Sequence, residues 1–188
     1  PDDYDLGLSI QQVNPASFVT RDGYEIAWHG GVPYSEGGDD EQEQQYSGLY
    51  AKNGDALKSI TLSSEDHSEA RIDGAVSWLS VKNKYFTAVL MPDTPEHVRG
   101  ATLIGDKVAQ RGGGVDVKNM TARLQFPRPR GQSEVDQFHL YAGPIDYYSL
   151  ADYDRGLYEM VDYGWDWFEW ITKPLAKYLY IPMLTYLG

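Results

Sequence analysis

The four histidines are the natural place to look for chemistry, and their spacing is poor for it. His29, His67, His97 and His139 are scattered along the chain. None has the His-x-His or His-x-x-x-His spacing that sets two imidazoles on one metal ion. They read as surface or strand histidines. The chain carries 28 acidic residues, but its densest runs, Asp39-Asp40-Glu41 and Glu65-Asp66, read as solvated loops. No Gly-x-Ser-x-Gly, His-Glu-x-x-His or phosphate-binding loop occurs. Arg111-Gly112-Gly113-Gly114 has the glycines of an anion cradle but lacks the Lys-Ser/Thr ending and a following helix, so it reads as a hairpin loop. Cysteine is absent, which removes disulfides and thiolate metal sites. No catalytic residue, metal ligand or cofactor is therefore expected. Trp28 and Trp78 would stack on sugar rings if a sheet exposed them, although core packing is the ordinary fate of such side chains.

The most distinctive chemistry is amphipathic and sits at the end. Three of the five tryptophans fall within Trp165–Trp170. At roughly 100° per residue, a helix here gathers Trp167, Phe168, Trp170, Ile171, Leu175, Tyr178 and Leu179 on one face. Asp166, Glu169, Lys173, Lys177 and Tyr180 share the other. With Trp165 at its start, such a helix suits a membrane interface, rings at headgroup depth and charges outward. The same stripe also suits packing on the chain's own domain. Pro174 and Pro182 fit a short, bent element. No stretch approaches the roughly 20 apolar residues that a spanning helix needs. Tyr178–Leu187 is the nearest, and Pro182 interrupts it.

What precedes this segment must position it. The net charge of −12 argues against nucleic acid, whose phosphates call for clustered Lys and Arg. It equally argues against the body lying on an anionic bilayer. Asp5–Val13, Tyr24–His29, Tyr46–Ala51, Ala56–Leu62, Ala75–Val81, Tyr85–Met91, Ala101–Val108, Val115–Phe126 and Gln137–Ala142 read as strands. Asn53-Gly54 is a strong hairpin signal between the third and fourth, and Lys82-Asn83-Lys84 joins a second hairpin. Ser63–Asp73 is polar and reads as a loop. Short strands with turn chemistry between them predict a mainly β antiparallel sandwich, with Trp78, Tyr85, Phe86 and Val89 in its core or on a sheet face. Beyond Pro144 the texture turns to tyrosines, leucines and acids, which predicts a short helix and a connecting segment. The expected division is a β-domain over 1–144, a helical linker over 145–163 and an amphipathic helix over 164–188.

Four segments then carry a family resemblance. Val76–Pro92, VSWLSVKNKYFTAVLMP, resembles the most recognisable stretch of the periplasmic domain of YidC membrane protein insertases. Trp28-His29-Gly30-Gly31-Val32-Pro33-Tyr34 is similar to that family's W-x-G-G-[IV]-P segment. Leu140-Tyr141-Ala142-Gly143-Pro144 resembles its strand end [LF]-Y-x-G-P. Val161-Asp162-Tyr163-Gly164-Trp165, with Ile171, Lys173-Pro174-Leu175 and Leu179, resembles its linker to an interfacial helix. The segments occur in the family's order and span the chain.

The resemblance implies a β-supersandwich similar to galactose mutarotase. It also implies a non-enzymatic domain on the periplasmic side of a bacterial inner membrane. The partners would be the lipid interface, the Sec translocon and nascent membrane proteins, met through a longer parent. The family's early strands are not matched, so the chain is expected to begin within the domain. Its insertion chemistry belongs to a membrane core not found here, so no insertase site residue carries over. Two other readings compete. A carbohydrate-binding sandwich module would need exposed aromatics lining a groove. A sugar epimerase would need a histidine and a carboxylate converging in one cleft.

Overall fold

The computed structural model describes residues 4–33, 45–62, 65–108 and 117–161. Ten strands lie within them: β1 Asp5–Val13, β2 Tyr24–Trp28, β3 Gly48–Asn53, β4 Ala56–Ile60, β5 His67–Asp73, β6 Trp78–Lys82, β7 Phe86–Pro92, β8 Gly100–Val108, β9 Val117–Phe126 and β10 Ser133–Pro144. They form two antiparallel sheets, one ordered β1-β10-β7-β6-β3-β4 and one ordered β2-β9-β8-β5. One short helix, α1 Tyr147–Ala151, and a 3-10 turn, Leu157–Met160, follow.

Local chemistry explains the hairpins. Asn53 pairs with Ala56, so the two-residue loop is Gly54-Asp55, with Gly54 at φ 54°, the left-handed first position of a primed turn. In the β6–β7 hairpin, fully buried Asn83 uses its side chain as a turn template. Its Oδ1 accepts from the backbone N–H of Tyr85 at 2.9 Å and of Phe86 at 2.8 Å. Its Nδ2 donates to Pro33 O at 3.1 Å.

Two layers of apolar side chains fill the molecule. Between the sheets lie Leu49, Leu79, Val81, Leu103, Leu124, Phe126 and Phe138 with their neighbours. The opposite face of the larger sheet carries a second core, in which Trp78, Val89, Met91 and Tyr141 meet Leu150, Leu157 and Met160. Every residue of β6 is therefore buried, because both faces of that strand are covered.

Several expectations need correcting in detail. Phe86 stands at the start of β7 and is 43 % exposed, whereas Trp78 and Val89 are fully buried. The segment expected as a loop contains β5, which pairs along β8 from His67↔Asp106 to Asp73↔Gly100. Its inward residues are Ser68, Ala70 and Ile72, a weakly apolar face. Its outward Glu69, Arg71 and Asp73 are the charges that protect an edge strand from further pairing.

Candidate functional site: the seat of the C-terminal linker

The larger sheet presents an unusual outer face. Lys52 pairs with Trp78 and Tyr50 with Ser80 across β3 and β6. Ser80 pairs with Val89 and Lys82 with Thr87 across β6 and β7. Directly paired residues share a face, so two lysines and two hydroxyls lie among the apolar groups of this face. Such groups are costly to bury unless bonded; Ser80 Oγ and Thr87 Oγ1 bond each other at 2.8 Å, and residues 145–161 supply partners to the lysines.

The linker is shaped to do so. Asp146 caps α1 by accepting from Ser149 N at 2.9 Å and Ser149 Oγ at 2.8 Å. Ile145 N donates to Tyr85 O at 2.8 Å, tying the start of the linker to β7's hairpin. Gly156 at φ 70° then turns the chain into the 3-10 turn, a backbone region that favours glycine. The polar ties follow in order. Trp78 Nε1 donates to Arg155 O at 2.8 Å, and Arg155 Nη1 donates to Pro92 O at 2.8 Å. Lys52 Nζ meets both carboxylate oxygens of Glu159 at 2.6 and 2.7 Å. Lys82 Nζ donates to Met160 O at 3.0 Å, and Ser80 Oγ lies 3.4 Å from Met160 Sδ. Leu150, Leu157 and Met160 fill the gaps and are buried. The result is a built seat that fixes the chain up to Val161.

The strand-end motif also has a physical reason. Tyr141 folds over Gly143, and its hydroxyl donates to Pro144 O at 2.6 Å. A Cβ at Gly143 would sit 2.7 Å from the Tyr4 ring and 2.9 Å from the Tyr141 oxygen, so only glycine fits. Burial, and then the Asp146 carboxylate, push the Tyr141 phenol up to about 12. The Trp28–Pro33 segment is held by Gly31 N to Met120 O at 3.0 Å and by Trp28 Nε1 to Gly31 O at 2.9 Å.

The expected interface residues Trp165, Trp167, Phe168, Trp170, Ile171, Leu175, Tyr178 and Leu179 lie outside the described residues. The linker's seat was not read from the sequence. Its signal was present in Lys52 and Lys82, cations facing the same side as Trp78 in otherwise apolar strands.

Among the described residues, neither competing reading finds its requirement in full. A groove of about 730 Å³ crosses the outer face of the smaller sheet and is lined by Glu25, Glu69, Arg71, Arg99 and Arg123. Its one aromatic, Tyr24, is stacked on Phe126 at 4.8 Å, so it offers no platform for a sugar ring. Trp78 is buried. Trp28 is 36 % exposed and lines an apolar cleft of about 230 Å³ between the sheets. A histidine and carboxylates do converge: ligand atoms of His97, Glu134 and Asp136 lie within 4.8 Å of one another. The adjoining cavity is about 80 Å³, however, well below the roughly 300 Å³ at which small-molecule sites begin.

The fold and its seat define a class, an antiparallel two-sheet β-domain whose residues 145–161 are bound onto the outer face of its larger sheet. Comparison with known proteins narrows the class to one family. The family model for the YidC periplasmic domain matches residues 1–178, and the chain belongs to that family. It is 34 % identical over 188 residues to the membrane protein insertase YidC of Chlorobaculum parvum, covering 99 % of this chain and 30 % of that protein. The YidC of Chlorobaculum tepidum is 33 % identical over 99 % of the chain, and that of Pelodictyon phaeoclathratiforme 31 % identical over 100 %. The chain thus spans about 30 % of the length of these curated relatives.

Proposed function

We propose that this chain is the non-enzymatic periplasmic domain of a bacterial membrane protein insertase. In this reading it lies on the periplasmic side of the inner membrane. It assists insertion and folding of membrane proteins through its parent, alongside the Sec translocon. The division into a sandwich over 1–144, a linker over 145–163 and a membrane-lying helix over 164–188 belongs to the same proposal. The observation that carries it is the family match over nearly the whole chain. The linker's seat supports it further, because a domain hung from a membrane needs its exit point held in one direction. The aromatic stripe of Trp165–Leu179 supports a lipid partner, with rings at the headgroups and Lys173 and Lys177 near phosphates.

The test uses the absence of cysteine. Lys58→Cys, at an exposed position of β4, is placed in a parent protein otherwise free of thiols. A maleimide that cannot cross the inner membrane should label it in cells with a permeabilised outer membrane. Labelling only after the inner membrane is broken would overturn the periplasmic assignment.

A further inference from the structure

We propose that His97, Glu134 and Asp136 form a site for a divalent transition-metal ion, zinc being the best fit, at one end of the sandwich. The proposal is independent of the function proposed above. It rests on how three distant stretches of chain meet. Asp93 N donates to Gln137 O at 3.0 Å, which joins the end of β7 to β10. The following 3-10 turn, Pro95–His97, is closed by His97 N on Thr94 O at 3.0 Å and carries the imidazole back toward β10. Glu134 and Asp136, two apart on β10, face the same side of the sheet. Phe138 continues that side into the core, so these carboxylates point inward where an apolar residue would be usual.

Their chemistry suits a cation. His97 Nδ1 lies 3.8 Å from Asp136 Oδ1. Metal–ligand distances of about 2.0–2.2 Å put neighbouring donors of a tetrahedral zinc about 3.4 Å apart, so a small closing movement of an exposed side chain suffices. The other oxygen of Asp136 accepts from the Tyr24 hydroxyl, which comes from the opposite sheet. That bond orients the carboxylate and leaves Oδ1 toward His97, as an outer-shell partner does at a metal.

A further donor is at hand. Gln12 stands opposite Glu134 across β1 and β10 and reaches the Tyr24 hydroxyl. It is 6 % exposed, and its Oε1 has no hydrogen-bond partner among the described residues. A buried acceptor without a donor is costly, and a cation would satisfy it. The adjoining cavity of about 80 Å³, lined by Asp93, Thr94, His97 and Asp136, has room for an ion with a water. One imidazole with carboxylate and amide oxygens favours zinc over calcium, which takes six to eight oxygens. The bound ion would staple the β7–β8 connection to β10.

The experiment titrates the chelator-stripped full chain with zinc chloride by calorimetry and follows thermal unfolding alongside. One zinc per chain is expected, with Tm raised by about 5–10 °C at a hundredfold excess over Kd. His97→Ala and Glu134→Gln change residues that are not fully buried, so both variants should fold. Each should lower zinc affinity by about tenfold or more. His67→Ala, outside the cluster, should leave it unchanged. Absence of binding, affinity in either cluster variant equal to that of the unsubstituted chain, or calcium binding as tight as zinc would overturn the assignment.

Discussion

Leu157→Ala probes the seat where it is densest. The side chain is fully buried among Trp78, Val89, Met91 and Tyr141. Truncating such a leucine costs about 2–5 kcal/mol, since the hole is only partly refilled. The surrounding ties, Trp78 to Arg155 O, Lys82 to Met160 O and Lys52 to Glu159, limit that refilling by holding the backbone in place. If the linker is integral to the fold, the loss comes out of global stability, and Tm falls by about 5–15 °C for a domain of this size. The assay is urea unfolding by far-ultraviolet circular dichroism, with hydrogen exchange on peptides covering residues 78–92 and 145–161. Faster exchange confined to the second peptide, with a smaller midpoint change, means that the segment lifts off before the sandwich opens. A change below about 1 kcal/mol with unaltered exchange in both peptides would refute the seat.

Three further outcomes follow from the same structure. Asn83→Ala removes the acceptor of two backbone N–H groups and the donor to Pro33 O, and urea unfolding should show a loss of about 2–4 kcal/mol; a loss under 1 kcal/mol contradicts its role as turn template. Glu159→Gln leaves the nearly buried Lys52 ammonium without its counter-charge and should cost about 1.5–3 kcal/mol, with exchange rising first in 145–161. Tyr141, raised from 10.0 to about 12 in the fold, keeps its full stabilisation below pH 10. As the unfolded chain ionises first, stability then falls by about 1.4 kcal/mol per pH unit until the folded phenol titrates; Tyr141→Phe should flatten that alkaline loss, and an unchanged slope would contradict the shift.

The strands were legible where one face was apolar and the turns carried their own chemistry. Asn53-Gly54 marked β3–β4, although Asn53 ends the strand and Gly54-Asp55 make the loop. The alternation of Trp78 and Ser80 against Leu79 and Val81 was correct. It did not reveal that both faces of β6 are covered, because coverage depends on where residues 145–161 return. Edge strand β5 was hidden by inward residues as small as Ser68 and Ala70. The start of β10 was missed for a related reason: Glu134 and Asp136 occupy inward positions, so the pattern inverts there. Those same residues meet His97 only through the pairing of β7 with β10, a contact that linear spacing does not encode. The aromatic stripe of the terminal segment is a reading of helical period alone, and it lies outside the described residues.

A lipid surface is the partner proposed for residues 164–188, and vesicle flotation tests that proposal. The full chain and a chain ending at Asp162 are each mixed with zwitterionic vesicles, which spare the acidic body from repulsion. Three of the five tryptophans lie beyond that truncation, so emission reports chiefly on the segment in question. The full chain alone should float, and its emission should shift to the blue on binding. Equal flotation of both chains, with no blue shift in the longer one, would contradict it.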